Sequence, residues 1–195
     1  MIAVDVVLLL PEEIMDKAVK INGELVEKTG DTGIILDSEK CLPHVTLAMG
    51  CVEEEDLSHI DNILRSIAED LLPITLKTIP FEKGPASLRI EKNRDIELLH
   101  ELVMIRMSRF FTHEVSKNMI YDSQKEEIAE LTFDYIRNFT TKSSFENYIP
   151  HITLGPGDAD LQVGSFEFVT SRLALCHLGN YCTCRKILLS HASSS

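Results

Sequence analysis

Residues 43–50 read PHVTLAMG and residues 150–157 read PHITLGPG, so one octapeptide pattern occurs twice, agreeing at Pro, His, Thr, Leu and the final Gly. In a β-strand, side chains two apart share a face. His44 and Thr46 therefore point one way while Val45 and Leu47 point the other, and His151 and Thr153 repeat this against Ile152 and Leu154. Each copy sets an imidazole beside a hydroxyl and backs them with a β-branched residue and a leucine suited to a core. Two such strands lying side by side across a cleft would bring two imidazoles and two hydroxyls into one small volume.

That set suits displacement at phosphorus without a metal. An imidazole with a pKa near about 6.5 acts as a base when neutral and as an acid when protonated. In-line displacement needs one of each, on opposite sides of phosphorus, and a single His-x-Thr cannot supply both. The hydroxyls can donate to non-bridging oxygens, whose charge grows in the transition state. A lone His-x-Thr is common by chance and more often a packed or solvated pair. Two copies in matching Pro-His-(Val/Ile)-Thr-Leu frames are much harder to obtain by accident. The competing reading is a duplicated β-unit whose His-Thr pairs are relics.

Composition bounds the rest. A chain of 195 residues, 44% hydrophobic and 26% charged, can bury a substantial core and matches no collagen-like, coiled-coil or disordered class. Its charge of -12, from 31 acidic and 19 basic residues, repels long nucleic acid over most of its surface. A small anion in a cleft is not excluded, because salt screens a distant field beyond about 10 Å. The opening MIAVDVVLLLPEE has an apolar run broken by Asp5 and no basic leader, so it is expected to be a strand, not a signal peptide. No segment approaches the roughly 20 apolar residues that span a bilayer. Five cysteines without a framework predict free buried thiols in a reducing compartment, hence a cytoplasmic protein. No membrane partner is expected, and the chain is expected as a monomer.

Periodicity places a strand over 2–10, a helix over 11–30, a short strand over 33–37 and a helix over 53–72 that stops at Pro73. Residues 73–82 and 86–93 read as two strands of one antiparallel sheet around Pro85. Helices are expected over 95–111 and 123–139, with a loop at 112–119 between them. After the second octapeptide come two β-rich runs, joined by a hairpin at Gly179 and Asn180, and a frayed tail over 191–195. Seven or eight strands with four helices, many neighbours close in sequence, predict an α+β fold instead of a doubly wound parallel sheet.

The frames LPHVTL and IPHITL resemble the paired hydrophobic-His-x-Thr/Ser-hydrophobic motifs of the two-histidine (2H) phosphoesterase superfamily, which includes bacterial 2'-5' RNA ligases (LigT-like proteins) and 2',3'-cyclic nucleotide phosphodiesterases. The order of elements is similar over most of the chain, although only the motifs are specific. The resemblance implies one domain, 1–195, of two lobes, each contributing one motif. Two antiparallel sheets with flanking helices would surround a central cleft, with approximate internal duplication. It implies His44 and His151 as acid and base, and Thr46 and Thr153 as phosphate ligands, with no metal and no cofactor. The implied activity is opening of a 2',3'-cyclic phosphate, or reaction at a 2'-5' linkage, of a nucleotide or RNA end; long duplexes are not expected partners. Some members bind nucleotides without strong turnover, so a binding module is the alternative.

Other signals are weaker. Cys176, His177, Cys182 and Cys184 have Cys-x-Cys spacing that does not suit a structural zinc site, and buried thiols are expected instead. Arg89, Arg172, Arg185 and Lys186 would suit phosphate, but a solvated strand face is the simpler expectation for each. Alternation puts Tyr148 on the face opposite His151, which disfavours base stacking by it. His59, His100, His113 and His191 show no partner pattern, and the acidic run at 53–56 reads as a helix's first turn.

Overall fold

The computed structural model describes residues 1–122 and 124–193. Ile2–Leu9 forms β1, a strand buried along its whole length because it lies in the interior of a six-stranded antiparallel sheet. Its neighbours are β2 (His44–Val52) and β7 (Arg172–Leu178). With β4 (Phe81–Arg89), β5 (His151–Val163) and β8 (Cys184–Ala192), the sheet order is β4-β5-β2-β1-β7-β8. A second sheet pairs β3 (Ile74–Lys77) with β6 (Glu167–Thr170). Among the described residues this gives eight strands and four α-helices, the expected α+β architecture with two antiparallel sheets.

The helices are α1 (Glu12–Thr29), α2 (Leu57–Leu71), α3 (Arg94–Met107) and α4 (Glu130–Lys142). Helix α1 opens with Glu12 and Glu13 against its positive end and closes at Gly30, whose φ of 72° lets its N–H reach the Val26 carbonyl. Its buried stripe includes Ile14, Ala18, Ile21 and Leu25, and it packs on β5. Helix α2 packs on β7, β8 and α3, and α3 packs on β2, which buries Ile60, Leu64, Ile96, Leu99 and Val103 with the apolar sides of the strands. No helix among the described residues is long and apolar enough to cross a membrane.

Several expectations are corrected. Residues 33–37 do not form a strand: Asn22, buried on α1, donates to the carbonyls of Ile34 (2.9 Å) and Leu154 (2.7 Å) and accepts from Leu36 N–H (2.8 Å). A side chain thus supplies the bonds that a neighbouring strand would give. The expected pairing of 73–82 with 86–93 survives only as an antiparallel bridge between Thr78 and Ile90, and the strands either side of Pro80 join different sheets. β3 alternates buried and exposed residues to pair with β6, whereas β4 crosses to the edge of the large sheet. Proline at 80 removes a ladder donor, so the pairing does not extend beyond Ile79, whose N–H bonds Arg89 O at 2.8 Å. Pro85 is tolerated because β4 is an edge strand and bulges there.

Helix α4 begins at Glu130, later than expected, because its buried stripe of Thr132, Ile136 and Phe139 starts only there. Its expected first residue, Ser123, and the last two residues of the tail, Ser194 and Ser195, lie outside the described residues. The hairpin between β7 and β8 has a five-residue connection, Gly179 N–H bonding Thr183 O at 2.9 Å, and Tyr181 and Cys182 take left-handed φ values of 56° and 55°. Cys176 and Cys184 are joined by a disulfide across it, so only Cys41, Cys51 and Cys182 are free.

Candidate functional site

Strands β2 and β5 are neighbours, but they share a single registered pair, Val45 and Ile152, and then diverge. Both of these side chains are fully buried, as are Leu47 and Leu154, which confirms the alternation read from the frames. The opposite faces carry His44, Thr46, His151 and Thr153, and all four line one cavity of about 360 Å³. Helix α4 contributes Leu131, Thr132 and Tyr135 to its wall.

The repeated residues act locally in matching ways, with one exception. His44 Nδ1 lies 2.7 Å from the carbonyl of Leu42, and His151 Nδ1 lies 2.8 Å from that of Ile149. In each frame the proline keeps the preceding residue extended, and the carbonyl two residues back fixes the ring. That bond places the Nδ1 proton on the carbonyl side, which leaves Nε2 of His151 for chemistry and turns Nε2 of His44 toward Asp5. The exception is the shared final glycine. A Cβ on Gly50 would come within 2.8 Å of the Phe111 ring, whereas Gly157 has a φ of 69° and open space around it. Close approach explains one glycine and backbone conformation the other. In the second copy the Gly155-Pro156-Gly157 stretch falls within a break of the β4–β5 register and lines the cavity.

The two histidines have different neighbours. Asp5 on β1 has no exposed surface; its Oδ2 accepts from Thr46 Oγ1 at 2.6 Å and lies 3.4 Å from His44 Nε2. Its Oδ1 has no partner among the described residues. On the other side, the β4–β5 register sets Arg89 opposite His151 and Ser87 opposite Thr153, so these pairs share a face. Burial works against charge on both rings. At His44 the hydrogen bond and attraction of Asp5, with the Leu42 carbonyl, outweigh burial and raise the ring above its ordinary value. At His151 burial prevails over the Ile149 carbonyl, and the charges of His44 and Arg89 push the same way, so the ring is lowered. Burial also raises Asp5, against the bonds from His44 and Thr46. Asp5 and His44 thus form a pair that retains a proton, facing a second imidazole that sheds one.

A further cavity of about 240 Å³ lies beside the first and shares Thr46, Pro85, Ser87, Tyr135 and His151 with it. Arg89 and Lys142 line this second space, so Arg89, exposed on its strand as expected, also borders the cleft. Tyr148 also lines it, but its ring stacks on His100 at 3.8 Å and its hydroxyl donates to Thr46 O at 2.9 Å, so it braces β2. His100 is not partnerless: Nδ1 lies 2.6 Å from Leu47 O, and Nε2 accepts from Phe145 N–H at 2.8 Å. His113 and His191 are also bonded, to Ile136 O and Thr140 and to Asp61. His177 contacts Met119 O. Among the described residues no group of three or more His, Cys, Asp or Glu is gathered as a metal cluster, and the hairpin cysteines form none.

Asp5 was legible only as the charge interrupting an apolar run, and a lone charge in a central strand is itself a signal, since unpaired charges are rarely buried. Ser87, Tyr135 and Lys142 carried no sequence signal of their own.

No family profile and no curated relative matches the sequence. Solved structures match over nearly the whole chain. The protein TT0787 of Thermus thermophilus superposes with a TM-score of 0.57 at 13% identity, covering 98% of this chain and 97% of that one. E. coli LigT complexed with 3'-AMP gives 0.50 at 12% identity, and LigT complexed with NADP+ gives 0.50 at 13%; each alignment covers 98% of both chains. At such identities the likeness shows the fold: this chain has the α+β fold of LigT.

Proposed function

We propose that this chain, with the LigT fold and two His-x-Thr frames facing one cavity, is a two-histidine phosphoesterase. It opens a 2',3'-cyclic phosphate, or a 2'-5' linkage, of a nucleotide or RNA end, without a metal. The observation that carries the reading is the convergence of His44, Thr46, His151 and Thr153 on the same cavity from adjacent strands. The structures of LigT with 3'-AMP and with NADP+ support a nucleotide as the ligand class.

The unequal histidines divide the work. His151, neutral because burial disfavours its charge, takes a proton from the attacking water at Nε2. The new P–O bond forms in line as the bond to the ribose oxygen breaks, and His44, held protonated by Asp5, delivers the Nε2 proton to that leaving oxygen. Thr153, whose hydroxyl has no protein partner among the described residues, donates to a non-bridging oxygen. Thr46 faces the same cavity, but its hydroxyl bonds Asp5. The cycle ends with a proton on His151 and none on His44, and exchange with solvent restores both.

The test is turnover of adenosine 2',3'-cyclic phosphate, 2'-5' oligoadenylate and ADP-ribose cyclic phosphate in EDTA, followed by phosphorus NMR. Activity on at least one is expected, with loss of about 10²- to 10⁴-fold in His44→Ala and in His151→Ala. Full activity in either variant refutes the mechanism. A second reading, a nucleotide-binding module without useful turnover, is favoured by one observation. Asp5 already engages both the Nε2 of His44 and the hydroxyl of Thr46. Calorimetric binding of 2'-AMP without product formation from any of the three compounds would select it.

A further inference from the structure

The cleft has two arms of opposite character meeting at His151. The larger arm contains no Asp, Glu, Lys or Arg and is walled by Ile34, Leu131, Pro156 and Tyr181, which suits a neutral ring system. The smaller arm is lined by Arg89 and Lys142 and by no carboxylate. In a chain with 31 acidic and 19 basic residues, an acid-free cavity holding two cations runs against the overall charge. Neither cation forms an ion pair among the described residues, whereas Lys77, Lys125, Arg65 and Arg137 each have a carboxylate partner. Arg89 is fixed beside His151 by strand register, and Lys142 is the last residue of α4; Ser87 and Tyr148 line the same cavity.

We propose that this smaller arm is a binding site for a second phosphate. The substrate class is then a nucleotide that carries, besides the scissile cyclic phosphate, a phosphate on the 5' side of the same ribose. The proposal rests on the phosphodiesterase reading for the place of the scissile group, and it adds the recognition of a group that does not react. A planar guanidinium can hold two phosphate oxygens at once and an ammonium adds a point charge. With the reacting phosphorus between the imidazoles, the base occupies the uncharged arm and the 5'-side phosphate reaches the cationic one. A terminal 5'-monophosphate and the diester of an RNA 3' end present the same chemistry here.

Three substrates separate the sources: adenosine 2',3'-cyclic phosphate, its 5'-phosphorylated form, and the dinucleotide ApA ending in a 2',3'-cyclic phosphate. The wild type is expected to show kcat/KM at least about tenfold higher for one or both phosphate-bearing compounds, about 1.4 kcal/mol of recognition. A gain for the mononucleotide alone identifies a terminal phosphate; a gain for the dinucleotide alone identifies an RNA end. The advantage shrinks in high salt, because the cations are exposed. Lys142→Ala reduces the ratio about threefold or more, and Lys142→Glu takes it to one or below; the exposed helix-end position tolerates both. Equal kcat/KM for all three substrates, or an unchanged ratio in Lys142→Glu, overturns the proposal while leaving the phosphodiesterase reading in place. Calorimetry with 2'-AMP and adenosine 2',5'-bisphosphate gives the same comparison without turnover. Tighter bisphosphate binding that Lys142→Glu removes upholds the site even if no compound is hydrolysed, which would sink the catalytic reading alone.

Discussion

Replacing Asp5 by Asn removes one charge from beneath the cleft and keeps the shape of the side chain. The carboxylate is fully buried and 3.4 Å from His44 Nε2. At that separation two unit charges attract by about 1 kcal/mol at the dielectric of water and about 5 kcal/mol at an effective value of about 20. The smaller figure already approaches a tenfold change in proton affinity, since a factor of ten corresponds to about 1.4 kcal/mol. In Asp5→Asn, burial is opposed only by the Leu42 carbonyl, so His44 is expected to fall below its ordinary value.

The assay is kcat/KM for adenosine 2',3'-cyclic phosphate across pH. Under the proposed mechanism, wild-type activity is expected to fall on the acid side as His151 gains a proton and on the alkaline side as His44 loses one. Because the first ring is lowered and the second raised, the bell is broad. Asp5→Asn moves the alkaline limb to lower pH, with the acid limb nearly in place, so the loss at pH of about 8 is about tenfold or more and shrinks toward lower pH. Stability reports the same pair. A raised folded pKa means that the stabilisation is complete below the unfolded value of about 6.5 and is lost as pH rises through the folded value. The wild type therefore loses melting temperature on that side, and the variant lacks this contribution. An alkaline limb that does not move, or a loss equal at every pH, refutes the assignment of His44 as an acid tuned by Asp5.

Thr153→Val and Thr46→Val should separate: the first raises KM and lowers kcat by about tenfold or more through lost phosphate contact, whereas the second acts through Asp5 and shifts the alkaline limb, as pH-dependent kinetics will show. His100 is held neutral, Nδ1 toward Leu47 O and Nε2 accepting from Phe145, and its pKa is lowered chiefly by burial. Its contribution to stability is complete above about pH 6.5 and is lost as pH falls through the folded value, so His100→Phe should weaken the acid-side slope and cost about 2 kcal/mol in urea melts. Asn180 accepts from Ala129 N–H, Thr132 Oγ1 and Tyr181 N–H and donates to Glu127 O; Asn180→Ala strands Ala129 N–H and Glu127 O, while Tyr181 N–H keeps its bond to Thr132 Oγ1, and should cost about 3 kcal/mol by thermal denaturation.

Alternation and helical spacing are local properties, and wherever they governed the outcome the sequence was readable. The faces of His44 and Thr46 against Val45 and Leu47, the stripe of α1 and the stop of α2 before Pro73 all follow from neighbours a few positions apart. Partners distant in sequence decided the rest. Residues 33–37 lack a strand because Asn22 on α1 satisfies them, and β3 left β4 for β6, some ninety positions away. Tyr135 and Lys142 reach the cleft only because α4 packs on β2. The disulfide is local, eight positions apart across the expected hairpin, yet Cys-x-Cys spacing gave no sign of a bridge between Cys176 and Cys184.

The two frames are nearly identical in sequence, yet they do not make equivalent histidines, because each strand has its own flanking neighbour. β2 borders β1, which carries a buried anion at Asp5; β5 borders β4, which carries a cation at Arg89. An anion beside one imidazole raises it, and a cation beside the other reinforces the lowering that burial begins. A pair of equal histidines would both be protonated or both neutral over most of the pH range, and only the mixed state is productive. Opposite flanking charges widen the range in which one ring is acid and the other base. Under the proposed mechanism, sheet order, more than the motif itself, sets the direction of proton flow, and exchanging the charges at positions 5 and 89 would be expected to narrow the pH range of activity from both sides.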